Sequence, residues 1–210
     1  LAIDAATRNS PEIDRTQQGK REGSLISALD MTVTSGGCRL LLNRLARPLY
    51  QPDAINARLD TIDWLLPKRD VRDTLRHLMR SLSDQARALS RLSLNRGSAR
   101  DLCVIASALH IGEALANHLN DARHLVEIDP KAPQEIDDII AALVPSLPLS
   151  QLRDKLEQAL IEEPPLKLSD GGFIRPGFNA DLDEARTLRD DSRQIILALE
   201  QRLAAETGIA

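Results

Sequence analysis

The side chains best suited to chemistry are few and scattered. His110, His118 and His124 come nearest to a metal set. Their spacing is not the His-x3-His that stacks two imidazoles on one helix face, and no cysteine or carboxylate stands at a matching position to complete a site. Solvated or core-edge histidines are the expected reading. Cys38 and Cys103 fit no metal or redox spacing. They are expected to be two small buried thiols in a reducing compartment. Asp137-Asp138 and Asp190-Asp191 are paired carboxylates in sequence only. Adjacent residues on a helix point about 100° apart, so neither pair makes a catalytic dyad.

Phosphate chemistry is no better provided for. The chain lacks a Gly-x-x-x-x-Gly-Lys-Ser/Thr run, the usual cradle for a nucleotide phosphate. Gly36-Gly37 opens a helix and offers amides to an anion, but turn geometry and close packing account for it more simply. Gly171-Gly172 reads as a hairpin turn. No catalytic, cofactor-binding or metal-ligating residue is assigned, and no enzymatic activity is expected of the chain itself.

Nucleic acid is the remaining possibility. Single-strand binding leans on aromatic stacking, and aromatics are 2% of the chain: Tyr50, Trp64, Phe173 and Phe178. Duplex backbone contact needs only Lys or Arg. Arg193 and Arg202 are the candidate contacts, although Asp190, Asp191, Glu200 and Glu206 surround them. Residues 1–100 carry 17 basic and 11 acidic side chains, and residues 101–210 carry 10 and 20. The acidic half is a poor surface for phosphate. In the basic half the arginines are spread along several helices and form no single block. Weak duplex binding or none is expected of the chain alone.

The elements that carry these residues are mostly helical. A length of 210 residues, 42% apolar and 28% charged, suits one large globular domain or two small ones. With so few aromatics the core must be Leu, Ile, Val and Ala, and Leu and Ala are strong helix formers. The expected fold is all-α: a multi-helical bundle with a long protruding helix and a few short strands near residues 1–30 and 166–175. Leu1-Ala2-Ile3-Asp4 is a plausible strand. Thr34 caps a helix over about 35–46. Pro52 starts another, whose Ile55, Leu59, Ile62 and Leu66 follow a 4-3-4 rhythm and define its core face. Helices are also expected over about 69–82 and 84–94.

Ser98-Ala99-Arg100-Asp101 is a capping signature: the Ser98 hydroxyl can accept the first free amides, and Asp101 can reach back. The helix it opens carries one apolar stripe of Leu102, Ile105, Leu109, Ala116 and Leu119, with Gly112 in the same row. Shorter helices are expected over about 134–143 and 149–161. Leu166-Lys167-Leu168 and Phe173-Ile174-Arg175 are expected to pair as a hairpin. Residues 181–206 contain no Gly or Pro and read as one helix, capped by Asn179, with Leu188, Ile195, Leu199 and Leu203 along one side. That stripe suits a two-helix, coiled-coil-like arm. Gly208 is its expected stop. There is no run of 18 apolar residues, so no membrane span is expected. No signal-peptide pattern is seen, and the expected location is cytoplasmic. The start at Leu1 and the end at Ala210, before any returning helix, suggest a piece of a longer chain.

Several segments, in order along nearly the whole chain, resemble the core region of MutS-type DNA mismatch repair proteins. They are Asp4-Ala5-Ala6-Thr7-Arg8, Gly23 to Asp30, Thr32-Val33-Thr34, Gly37-Cys38-Arg39-Leu40-Leu41 and Arg47-Pro48-Leu49. Ala99-Arg100-Asp101-Leu102 looks like the family's Pro-Arg-Asp-Leu helix start. Asp170-Gly171-Gly172-Phe173-Ile174, Gly177-Phe178-Asn179 and Leu182-Asp183 look like the turn leading to the clamp, and Glu206-Thr207-Gly208-Ile209 like the clamp's beginning. Asn9, Ser10 and Pro11 depart from the family's Arg-Asn-Leu pattern, and Leu45 stands where a Trp is usual.

The resemblance implies a core and lever body over residues 1–178 and a helix over 179–210 that leads to a truncated clamp. It implies a structural, signal-transmitting role between an ATPase and a DNA clamp. ATP and Mg would be bound by the parent protein outside this segment, with no cofactor in the segment itself. Mismatched duplex DNA, other domains of the same chain and a second parent subunit (a homodimer) are the implied partners. The alternative is a free-standing helical domain that binds the DNA backbone or acts as a scaffold.

Overall fold

The computed structural model describes residues 12–124 and 131–207, with side chains of the last helix described as far as Ala204. The expected strand at Leu1–Asp4 and the stop at Gly208 lie outside these residues. The helices are α1 (Leu25–Leu29), α2 (Ser35–Ala46), α3 (Pro52–Leu65), α4 (Arg69–Arg80), α5 (Gln85–Ser93), α6 (Ala99–His124), α7 (Gln134–Leu143), α8 (Leu147–Ala159) and α9 (Ala180–Thr207). The all-α class holds. Among the described residues there is no strand, only an isolated antiparallel bridge between Leu160 and Ile174.

Two expectations about strands are corrected. Residues 12–24 form turns, and 25–29 form α1, capped by the Ser24 side chain. The amides of Leu25 and Ile26 donate to the carbonyls of Glu12 and Ile13, which buries Ile13 and Ile26. The hairpin around Gly171-Gly172 also differs. Residues 168–170 wind into a 3-10 turn, and both glycines take positive φ, 66° and 73°. Phe173–Arg175 then pairs with the end of α8, not with 166–168: Ile161 N–H donates to Phe173 O at 3.1 Å and Arg175 N–H to Ala159 O at 2.7 Å. Leu166 and Leu168 are left exposed. The apolar partners buried against this segment, Ala159 and Leu160, decide the pairing.

Helix α6 is the axis of the bundle, with α4, α5, α7 and α8 packed against it. Its burial therefore runs around the helix and not along one stripe. Ala106, Ile111, Leu115, Ala116, Leu119 and Ala122 are all buried, while Leu102, Ile105 and Leu109 of the expected row are half-buried. By length and composition α6 could cross a membrane; four helices pack against it here, and 28% of its apolar window is buried. Gly112 allows α7 in closely: a Cβ there would lie 3.3 Å from the carbonyl oxygen of Leu143.

The face that α3 turns inward is also corrected. Trp64 is buried with Val71, Ala122 and Ile136, whereas Ile55, Leu59, Ile62 and Leu66 are 38–63% exposed. Trp64 lies about half a turn from that row on a 3.6-residue helix. Its large ring brings more apolar area than any single residue of the row. Lys68 closes the site, with Nζ 4.3 Å above the indole and 3.0 Å from Trp64 O.

Candidate functional site: the long helix and its anchorage

Helix α9 runs 28 residues without a break, about 42 Å at 1.5 Å per residue. No Gly or Pro interrupts it, Asp181 and Asp183 favour its positive N-terminal end, and Asn179 Oδ1 accepts Leu182 N–H at 2.9 Å. Every residue from Thr187 to Leu203 is exposed, including Leu188, Ile195, Leu199 and Leu203. Only Leu182, Asp183 and Arg186 near its start are half-buried.

The candidate contacts Arg193 and Arg202 both lie on this exposed stretch. The helix does not bring them together. Nine residues turn an α-helix by about 900°, so the two point to opposite sides and stand about 13 Å apart along the axis. Arg202 flanks the apolar row, and Arg193 lies across from it.

The base of the helix is held by polar groups. Asp183 Oδ2 accepts Gly177 N–H at 2.6 Å, and Asp183 Oδ1 accepts from Arg186 Nη1 at 3.2 Å. Arg186 Nη2 donates to Ile174 O at 3.0 Å. Ile174 is itself bridged to Leu160, and Arg175 Nε donates to Leu160 O at 2.5 Å. Beneath them, Ala99, Ala159 and Leu160 form a small core with Phe173, Ile174 and Leu102. Sequence reasoning placed Asp183 at the helix entry but missed its bonds to Gly177 and Arg186, and missed Arg186 itself. Their i,i+3 spacing at the start of a long helix was the available signal.

The other candidates are placed as follows. The three histidines lie along α6 at eight- and six-residue intervals, and no group of three His, Cys, Asp or Glu among the described residues could hold a metal ion. His110 Nδ1 stands 4.0 Å from Glu157 at an open cleft of 440 Å³ shared with Cys103 and Arg175. Both cysteines are free thiols and half-buried, less enclosed than expected. Burial pushes the Cys103 thiol up from its ordinary value. Asp137 accepts from Arg123 at 2.6 Å, and Asp138 from Gln134 at 3.0 Å. The amide of Gly37 is taken by Thr34 Oγ1 at 2.9 Å, which caps α2 from within.

A family model, MutS domain III, matches residues 6–207. This chain belongs to the MutS domain III family. It is 48% identical over its whole length to the DNA mismatch repair protein MutS of Caulobacter vibrioides and 46% identical to that of Caulobacter sp. strain K31, and it covers 23% of each. It is 44% identical to the MutS of Azorhizobium caulinodans, of which it covers 21%. The chain thus spans less than a quarter of the length of these relatives. The long helix and its anchorage are accordingly features of a MutS domain III.

Proposed function

We propose that this MutS domain III is a mechanical module of a DNA mismatch repair protein, with a body over residues 1–178 and a lever helix over 179–210 that leads toward a clamp. The parent protein would hydrolyse ATP with Mg, bind mismatched duplex DNA as a homodimer, and use this module to couple the two events. Supporting this reading above all is α9: 28 unbroken residues, anchored over two turns and exposed beyond. An uninterrupted helix transmits displacement along its axis because each added turn is fixed by its own hydrogen bonds. Coupling of this kind requires two states that both ends bias.

The test is Leu199→Pro in the full-length polypeptide. ATP hydrolysis without DNA should be unchanged, and its stimulation by mismatched duplex should fall toward the DNA-free rate. Full stimulation in the variant would reject the lever role. Arg193 and Arg202 are proposed as minor DNA-backbone contacts, so replacing either with Ala should weaken duplex binding slightly and lower its salt dependence. The free-standing DNA-binding reading makes a different demand: the 210-residue chain alone must bind duplex appreciably at low salt, with a steep salt slope.

A further inference from the structure

We infer that Arg186 is the latch that fixes the direction of α9 relative to the α6–α8 pair, and that residues 176–179 are the pivot about which α9 turns when the latch opens. The inference does not depend on what the parent protein binds. Segment 173–175 is fastened to the end of α8 by three hydrogen bonds: Ile161 N–H to Phe173 O, Arg175 N–H to Ala159 O, and Arg175 Nε to Leu160 O. The connection from that segment to α9 is thinner. It consists of a long backbone bond from Phe178 N–H to Arg175 O at 3.3 Å and the Arg186 guanidinium on Ile174 O at 3.0 Å, with Asp183 holding the guanidinium from one side and the Gly177 amide from the other.

Between the two fastenings lie Pro176, Gly177, Phe178 and Asn179, all exposed, with Gly177 at φ 85°. A positive φ at glycine carries no side-chain clash, so this linker can change direction at low cost. Past Arg186, every residue to Leu203 is exposed. Turning α9 therefore breaks the Arg186 contact and leaves the α8 bridge intact. Arginine suits the task because its planar fork meets a carbonyl and a carboxylate at once, which a lysine ammonium does less rigidly.

The experiment uses the 210-residue chain with Cys38 and Cys103 changed to Ser and spin labels on cysteines placed at Asn117 and Gln194. Electron–electron distance measurements should give one narrow distribution in the parent chain. Arg186→Met should broaden it at least twofold, Arg186→Lys should fall between, and Asp183→Asn should broaden it less than Arg186→Met. A second label pair at Ser90 and Asn117, both in the bundle, should keep its distance in every variant. Unchanged α9 distances in Arg186→Met overturn the latch. So does broadening of the bundle pair, which would make Arg186 a general packing residue. If Arg186→Met does not fold, the Asp183→Asn and Arg186→Lys distributions decide by the same criterion.

Discussion

Arg91 reaches from α5 to the first turn of α6, where its Nε donates to Asp101 Oδ1 at 3.0 Å and its Nη2 meets the same oxygen. Asp101 Oδ2 turns the other way, accepting Ser98 N–H at 2.9 Å and the Ser98 hydroxyl at 3.1 Å. One buried carboxylate thus caps the central helix and ties it to its neighbour. The sequence signature anticipated the reach of Asp101 back to Ser98, but the Ser98 hydroxyl donates to the carboxylate where it was expected to accept an amide.

Acid should loosen this junction. The hydrogen bond from Arg91, then those from Ser98, hold the Asp101 carboxyl at about 2, against an ordinary 3.8. Asp30 is likewise held at about 2, by the Thr32 hydroxyl first and then by Cys38 and Arg21. A depressed folded-state value means that the unfolded chain takes up the proton first as pH falls. The stability contributed is complete above about pH 4 and is lost between 3.8 and about 2. Thermal melts at pH 5, 3.5 and 2.5 should show this fall, and Asp101→Asn should make it shallower. An equally steep fall in that variant would remove Asp101 from the account.

Trp64→Ala should cost about 3–5 kcal/mol, the usual range for deleting a buried aromatic, because Trp64 is 5% exposed in the cluster that joins α3, α4, α6 and α7. Ile62→Ala, two residues away but 55% exposed, should change stability by no more than about 0.5 kcal/mol. Urea unfolding followed by circular dichroism compares the two. Equal losses would show that α3 presents its other face to the bundle.

Gly112→Leu should destabilise the chain by about 1–3 kcal/mol through overpacking. Even a single Cβ at this position meets Leu143 O at 3.3 Å, and that oxygen belongs to backbone at the end of α7. Urea unfolding measures the loss. A neutral result would place α7 farther from α6.

Leu199→Pro in the 210-residue chain should remove helical signal without unfolding the bundle. Proline costs a helix interior about 3 kcal/mol or more, but α9 past Arg186 is exposed and the bundle does not lean on it. Far-ultraviolet circular dichroism should fall, while Trp64 fluorescence and its melting temperature stay as they were. Unaltered circular dichroism would mean that no helix continues through residue 199.

Caps and breakers were the most legible features of the sequence. Thr34, Ser98, Asn179 and Pro52 fixed helix ends to within a residue or two, because their effect is local. Which face of a helix turns inward was less legible. The row on α3 obeyed helical period and still faces out, while Trp64 on the far side, larger than any one residue of the row, is the side chain that is buried. The single stripe assigned to α6 was right for Gly112, Ala116 and Leu119, which are buried, but too narrow: period says that a face is apolar, not how many neighbours surround it. At the candidate site, the continuity of α9 could be read from an absence of breakers. Its fastening could not, because Arg186 meets a carbonyl twelve residues back, across a turn whose path depends on the positive-φ Gly177 and a bridge to α8.

Helix α2 has no fully buried residue; its Leu41, Leu42 and Leu45 are half-buried, and two ion pairs tie it to the bundle, Arg39 on Asp84 at 2.8 Å and Arg44 on Glu135 at 3.6 Å. Ionic attachments at the surface weaken as counter-ions accumulate, whereas apolar packing does not. The molecule therefore has a seam that dissolved electrolyte can loosen while Trp64 and the α6 axis stay shut. Amide protons of residues 35–46 should be the ones whose exchange with solvent quickens as brine is added, a local opening far short of unfolding.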